Sequence, residues 1–122
     1  MRPFLFVGLG GAIGSMLRYL VQVSTGRHFI INFPVGTLLV NISGCLLIGV
    51  LYGLSSKNPA LNLEWKLFLM TGICGGYTTF SSFSLESVTL FKSGHYAYFI
   101  LYTSLSFILG LLATVGGIAF AK

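Results

Sequence analysis

Long uncharged stretches alternate with short polar joints along the 122 residues of the chain. No Asp, Glu, Lys or Arg occurs in 3–17, 29–56, 67–85 or 95–121. A helix needs about 20 apolar residues to cross ~30 Å of hydrocarbon. The pattern therefore predicts four transmembrane helices, over about 3–24, 32–55, 66–91 and 96–120, forming a single all-α membrane domain over 1–122. The first reaches that length only by carrying Arg18 near its end, where a long side chain can snorkel toward water. It is expected to persist in the mature protein: Arg2 offers a basic start, but no A-x-A-like cleavage site follows it.

The joints are short. Pro34 suits the first turn of the second helix, because its missing N–H has no intrahelical partner there in any case. Asn58-Pro59 reads as a turn and Gly94 as a helix stop. Trp65, Tyr96 and Tyr98 suit the aromatic belt at a membrane interface, and His28 and His95 fall at predicted ends. With joints this small, function has to lie between the helices.

The third segment carries the strongest local anomaly. Thr71 to Phe83 reads TGICGGYTTFSSF, and glycines, β-branched threonines and serines make a poor helix interior. Lipid tolerates non-helical backbone only where it lines a cavity or is buried in protein, so a break around Gly75–Thr79 marks a candidate ion or substrate site. Thr79, Ser81 and Ser82 can cap the second half. Phe80 and Phe83 share a face of it and can offer positively polarised ring edges to a small anion, or simply face lipid and core. Glu86, the only acid inside a predicted helix, either faces a vestibule or pairs with a cation.

The other helices supply further polar positions. Gly10-xxx-Gly14 and Gly11-xxx-Ser15 in the first are close-packing pairs; the spacing of GLGGAIG fails as a dinucleotide fingerprint. In the second, Thr37, Asn41, Gly44 and Ile48 share one face. Asn41 is either interhelical glue or a pore donor, since its amide can give two hydrogen bonds. In the last, Tyr98, Tyr102, Ser106 and Gly110 form a stripe that fits a helix interface or a ladder of donors equally well. Thr103, Ser104 and Thr114 lie off it and are expected to bond back to their own helix.

Composition and charge narrow the class. The chain is 55% hydrophobic and 7% charged, with mean hydropathy +0.91, far outside the soluble range. Its net charge of +5 is scattered rather than gathered on a face, which excludes nucleic acid as a partner. Four spans put Arg2, Lys57, Lys66 and Lys122 on one side, and Arg18, Arg27 and Lys92 on the other. So small a bias leaves two readings: orientation set by something else, or insertion both ways with pairing to an inverted copy. Cys45 and Cys74 fall mid-helix without metal-ligand spacing and read as packing residues. No nucleophile–base pair or metal-ligand set points to an enzyme.

Together, GLGGAIGSMLRY, GTLLVNISGCLLIG and GGYTTFSSFSLE resemble the Fluc (CrcB-type) fluoride channels, over essentially the whole chain. The resemblance implies a multi-pass protein of the cell's inner (plasma) membrane, built as an antiparallel, dual-topology homodimer whose broken third helices cross at its centre. A structural sodium ion would be held there by the main-chain carbonyls of Gly75 and Thr78 from each subunit. Two pores would run along the interface, lined by Asn41, Phe80 and Phe83, with Tyr102 and Ser106 forming a polar track, Thr37 on the Asn41 face and Arg18 at the vestibule. Gly110 stands where the family carries a later hydroxyl, and Glu86 matches a family acid of less settled role. Passive fluoride efflux, protecting a cell whose acidic surroundings trap the anion inside, is the implied function. A small proton-coupled exporter of organic cations is the main alternative, although that chemistry needs a mid-membrane carboxylate. A non-transporting assembly protein would leave the 78–83 pattern and Asn41 unexplained.

Overall fold

The computed structural model describes residues 1–26, 33–57 and 62–121, and every regular element among them is helical. The first helix runs Arg2–Gly26, the second Val35–Lys57 and the last Tyr96–Ala121. Between the second and the last the path is interrupted. A proximal half joins α-helical Leu63–Lys66, π-helical Leu67–Cys74 and α-helical Gly75–Tyr77; a distal half runs Phe80–Lys92. Among the described residues three helices are long and apolar enough to cross a membrane: the first, the second and the last. Apolar side chains stand out around them, with Phe4, Leu20, Ile100, Leu111 and Phe120 all more than 60% exposed. Helices that are apolar on every side belong in lipid. The chain is an all-α membrane protein.

The break falls at Thr78 and Thr79, which are extended, inside the expected 75–79, whereas Gly75 and Gly76 at the start of that range are helical. The third path begins earlier than 66, at Leu63, because the Asn62 side chain caps it by accepting from the Trp65 amide at 3.0 Å. Glu86 is therefore not the only helical acid. Glu64 occupies the first turn of this path and pairs with Arg2 at 3.1 Å. The Asn58-Pro59 turn, Arg27, His28 and Lys122 lie outside the described residues.

Glycines set the packing. Arg2 meets Glu64, Gly10 lies against Gly72, and Gly14 against Ile73 and Tyr77, so the first helix and the proximal half run parallel. A Cβ on Gly76 would stand 2.6 Å from the Gly11 carbonyl oxygen, closer than any side chain can sit. Here Gly76 serves close backbone approach rather than conformational freedom. The glycine contacts with the first helix fall on and just beyond the π-helical stretch, whose wider turns present backbone to that helix. The second and last helices also run parallel, with Gly49 against Thr114, Gly117 against Leu46 and Val50, and the Thr114 hydroxyl donating to the Cys45 carbonyl at 3.3 Å.

At the end of the distal half Gly94 adopts φ 82°, the His95 amide donates to Leu90 O at 3.0 Å and the Gly94 amide to Phe91 O at 3.2 Å. This left-handed stop turns the chain back sharply, as Gly94 leads one to expect. The turn lays the distal half against the last helix, with Phe83 against Tyr102 and Phe107.

These contacts predict that Gly76→Ala destabilises the protein by about 1–3 kcal/mol through overpacking. Gly8→Ala, where an added Cβ meets nothing within 4 Å, should stay within about 0.5 kcal/mol of the parent. Unfolding of both variants in detergent checks the difference, and equal stabilities would contradict the packing role.

Candidate functional site

The site is built around the interruption. Thr78 (φ −78°, ψ 155°) and Thr79 (φ −146°, ψ 115°) are extended, a conformation that β-branched side chains accept readily. The backbone groups they withdraw from the helix are met by side chains. Asn41 on the second helix bridges Thr79 twice: its Oδ1 accepts the Thr79 amide at 2.8 Å, and its Nδ2 donates to the Thr79 carbonyl at 3.1 Å. A backbone N–H only donates and a C=O only accepts, so this pairing fixes which way the Asn41 amide faces. The Thr79 hydroxyl then caps the distal half by accepting the Ser82 amide at 3.2 Å.

This arrangement has a cost on the other side of the break. In a continuous helix the amides of residues 79 and 82 would close on the carbonyls of 75 and 78. Both amides are engaged elsewhere, which releases the carbonyls of Gly75 and Thr78. The neighbouring Gly76 carbonyl receives Arg18 Nε at 3.2 Å, placing a cation at the C-terminal end of the proximal half, where the helix dipole favours one. Arg18 lines neither of the cavities described below.

Two cavities follow one another along the second helix. The first, about 370 Å³, contains Asn41, Gly75, Thr78, Phe80, Phe83 and Ser106 on its walls. Its sulfur lining, from Cys45, Met70 and Cys74, includes two free thiols. Phe80 is 74% exposed and Phe83 only 9%, with ring centroids 5.7 Å apart. The Ser106 hydroxyl is buried and has no partner, so its hydrogen is unspent. The second cavity, about 550 Å³, is more polar and is lined by Gln22, Thr37, Ser82 and Glu86.

Tyr102 lines neither cavity but touches a wall residue of each. Its ring lies 5.3 Å from that of Phe83, and its hydroxyl donates to Glu86 Oε1 at 3.1 Å. It is fully buried, whereas Thr37 beside it is 2% exposed. Glu86 faces the second cavity, and among the described residues no cation lies within ion-pair distance of it. Gly110 packs near Cys45, where an added Cβ would meet Sγ at an ordinary 3.5 Å. The hydroxyl stripe of the last helix thus stops at Ser106.

The fold brings Asn41, Phe80, Phe83, Ser106, Gly75 and Thr78 to one cavity, and Thr37 and Glu86 to the next. Sequence reasoning passed over Gln22, although it stands four residues after Arg18 and so shares its helix face. It also left Asn41 open between glue and donor. The amide is glue to the broken backbone, and one of its two N–H hydrogens remains for the cavity. Amide and hydroxyl donors and ring edges around a small apolar chamber suit an anion stripped of its water better than a cation.

The chain matches the model of the family described as CrcB-like protein, Camphor Resistance (CrcB), over residues 5–118. It is 45% identical over 122 residues to a protein of Flavobacterium psychrophilum named fluoride-specific ion channel FluC, covering 100% of this chain and 98% of that one. It is 49% identical over 118 residues to the protein of the same name from Phocaeicola vulgatus, covering 97% of each. A Leptospira interrogans protein of that name is 45% identical over 120 residues, with 98% and 89% covered.

Replacing Asn41 with leucine would leave the Thr79 amide unpaired, while the Thr79 carbonyl, at the N-cap, keeps the first bond of the distal half. Asn41→Leu should therefore lower stability by about 1–3 kcal/mol. Urea or thermal unfolding in detergent reads the loss, and a change below about 1 kcal/mol would mean that the break does not depend on this amide.

Proposed function

Because this chain belongs to the CrcB-like family, we propose that it is a fluoride-selective channel, conducting passively through a route that joins the two cavities. Fluoride is small and strongly hydrated, so the route has to replace its water with closely placed donors. The observation that carries this reading is the first cavity, whose walls bring together Phe80, Phe83, Asn41, which has a second amide N–H beyond its bond to Thr79, and Ser106, whose buried hydroxyl has no partner among the described residues. The ring edges bridge the stretch where such donors run out. Chloride is disfavoured by the same spacing, since a larger ion cannot approach every donor at once. Named ion channels among the relatives, rather than enzymes, fit a chain whose chemistry is confined to this passage.

The broken third path completes four membrane spans in this reading, with the site at the break. The first cavity opens on an apolar face from which Phe80 projects. A second copy of the chain, inserted the other way up, is the occupant proposed for that face. The near-even split of basic residues between the two sides supports such dual insertion. Inversion brings a second pair of released carbonyls, from Gly75 and Thr78, to the centre of the pair. Hard oxygen donors of this kind fit a sodium ion, which would supply fixed positive charge beside the anion route. Arg18 contributes positive potential from the end of the proximal half. The membrane proposed is the inner (plasma) membrane, where efflux relieves a cell of trapped fluoride.

The test is efflux from proteoliposomes followed with a fluoride electrode, with chloride as control. Rapid fluoride loss with chloride retained is expected; no fluoride flux from a folded sample, or equal chloride flux, would overturn the reading. Asn41→Asp should abolish flux while the protein stays folded, because a carboxylate keeps the acceptor for the Thr79 amide but turns negative charge on the route. Phe80→Ile, at an exposed ring, should cut flux about three- to tenfold, the equivalent of an aromatic contact, with unchanged stability. Phe83→Ile should lose both flux and stability, since that ring is also packed on Tyr102.

A further inference from the structure

Gln22, on the wall of the second cavity, ties the first helix to it through a polar contact. Its Nε2 donates to the Thr37 hydroxyl oxygen at 3.2 Å. Thr37 in turn interacts through its side chain with the Tyr102 phenol, and Tyr102 donates to Glu86 at 3.1 Å. Four helical segments thus contribute one residue each to a single polar chain. The two helices lie close here: a Cβ on Gly36 would stand 3.3 Å from Gln22 Cα and 2.5 Å from Thr25 Oγ1, so a side chain at this position would require Thr25 to turn and the helices to ease apart slightly.

We propose that Gln22 is a positioning residue of the fluoride route, holding the hydroxyls of Thr37 and Tyr102 in one direction with their hydrogens toward Glu86. This rests on the fluoride reading above. The direction follows from the two ends. A carboxylate only accepts and the amide NH₂ of Gln22 only donates. With the amide turned over, Thr37 would spend its hydrogen on Gln22 and Tyr102 would spend its own on Glu86. Two oxygens would then face each other with no hydrogen between them. Donation by Gln22 avoids this and leaves the Thr37 hydrogen for the phenol oxygen.

The consequence for an anion is specific. Bare hydroxyl lone pairs repel fluoride, whereas hydroxyl hydrogens attract it. In the oriented chain Gln22 covers a lone pair of Thr37, and Thr37 covers one of Tyr102. The Tyr102 hydrogen is left between the cavities, where fluoride can compete for it. Without Gln22 the Thr37 hydroxyl has an easy alternative. Thr25, Thr89, Thr103 and Thr114 all donate back to the carbonyl four residues earlier in their own helices. A Thr37 that did so would uncover the phenol oxygen.

A double-mutant cycle in the proteoliposome assay tests this, using Gln22→Met, which keeps length and volume but removes the donor, and Thr37→Val. Wild-type fluoride flux in the same preparation checks the function itself, so a silent wild type counts against the channel reading and not against this one. Gln22→Met should lower flux about three- to tenfold, the equivalent of one net hydrogen bond. In the Thr37→Val background the same change should have less than about twofold effect, because the group it acts through is gone. Flux within about twofold of wild type for Gln22→Met, or losses that simply multiply in the double variant, would overturn the proposal. If Gln22→Met does not yield folded protein, Gln22→Asn retracts the amide by one methylene and is held to the same outcomes.

Discussion

A chain that leaves the helix inside a membrane has to find partners for every backbone group it releases, because lipid offers none. In this protein that requirement is met chiefly by one side chain. Asn41 reaches from the second helix and takes both the amide and the carbonyl of Thr79, acting as a detachable piece of backbone. The Thr79 hydroxyl extends the repair to the Ser82 amide. Everything distinctive about the site depends on this exchange. The released carbonyls of Gly75 and Thr78, the offset of Phe80 and Phe83 from the proximal half, and the chamber between them all exist because the helix can stop without leaving the Thr79 amide bare.

The rest of the fold holds the two sides of that repair in register. Asn41 is only useful if the second helix stays close to the break, and the proximal half only stays in place if the first helix grips it. Both conditions are met by backbone contact at glycine rather than by large interlocking side chains. In lipid, where burying apolar surface gives little drive for helices to associate, close approach and dispersion carry that load. Bulky residues are left for the lipid-facing surface, and aromatic rings gather where the distal half meets the last helix.

The all-helical membrane character of the chain and its three long apolar helices were legible from the sequence, because uncharged length is itself the physical requirement for lying in lipid. So was the Gly94 stop, since a left-handed residue after a helix has few other spellings. The interruption was legible as a region, 75–79, which the structure narrows to Thr78 and Thr79. Glycine pairs weaken helices in isolation, but Gly76 here is needed for contact with Gly11, and tertiary packing kept it helical. Asn41 could not be resolved between two roles because its partner lies 38 residues away; nothing local to either residue encodes that meeting. The hold of Arg18 on the Gly76 carbonyl was not legible either, since the two lie 58 residues apart. Gln22 was missed for a similar reason, since its meaning comes from a hydroxyl on another helix. The Glu64 position followed from Asn62, a cap that hydropathy does not register.

Asn41 also bears on how such a chain can be assembled. The ribosome delivers the second helix before the third, so the amide that must receive Thr79 is already embedded when the threonines arrive. Had the order been reversed, the nascent segment would have entered lipid with nothing to absorb its loose ends, and an unbroken helix would have been its cheapest form. Read this way, the order of helices along the gene is part of what makes a discontinuous span affordable.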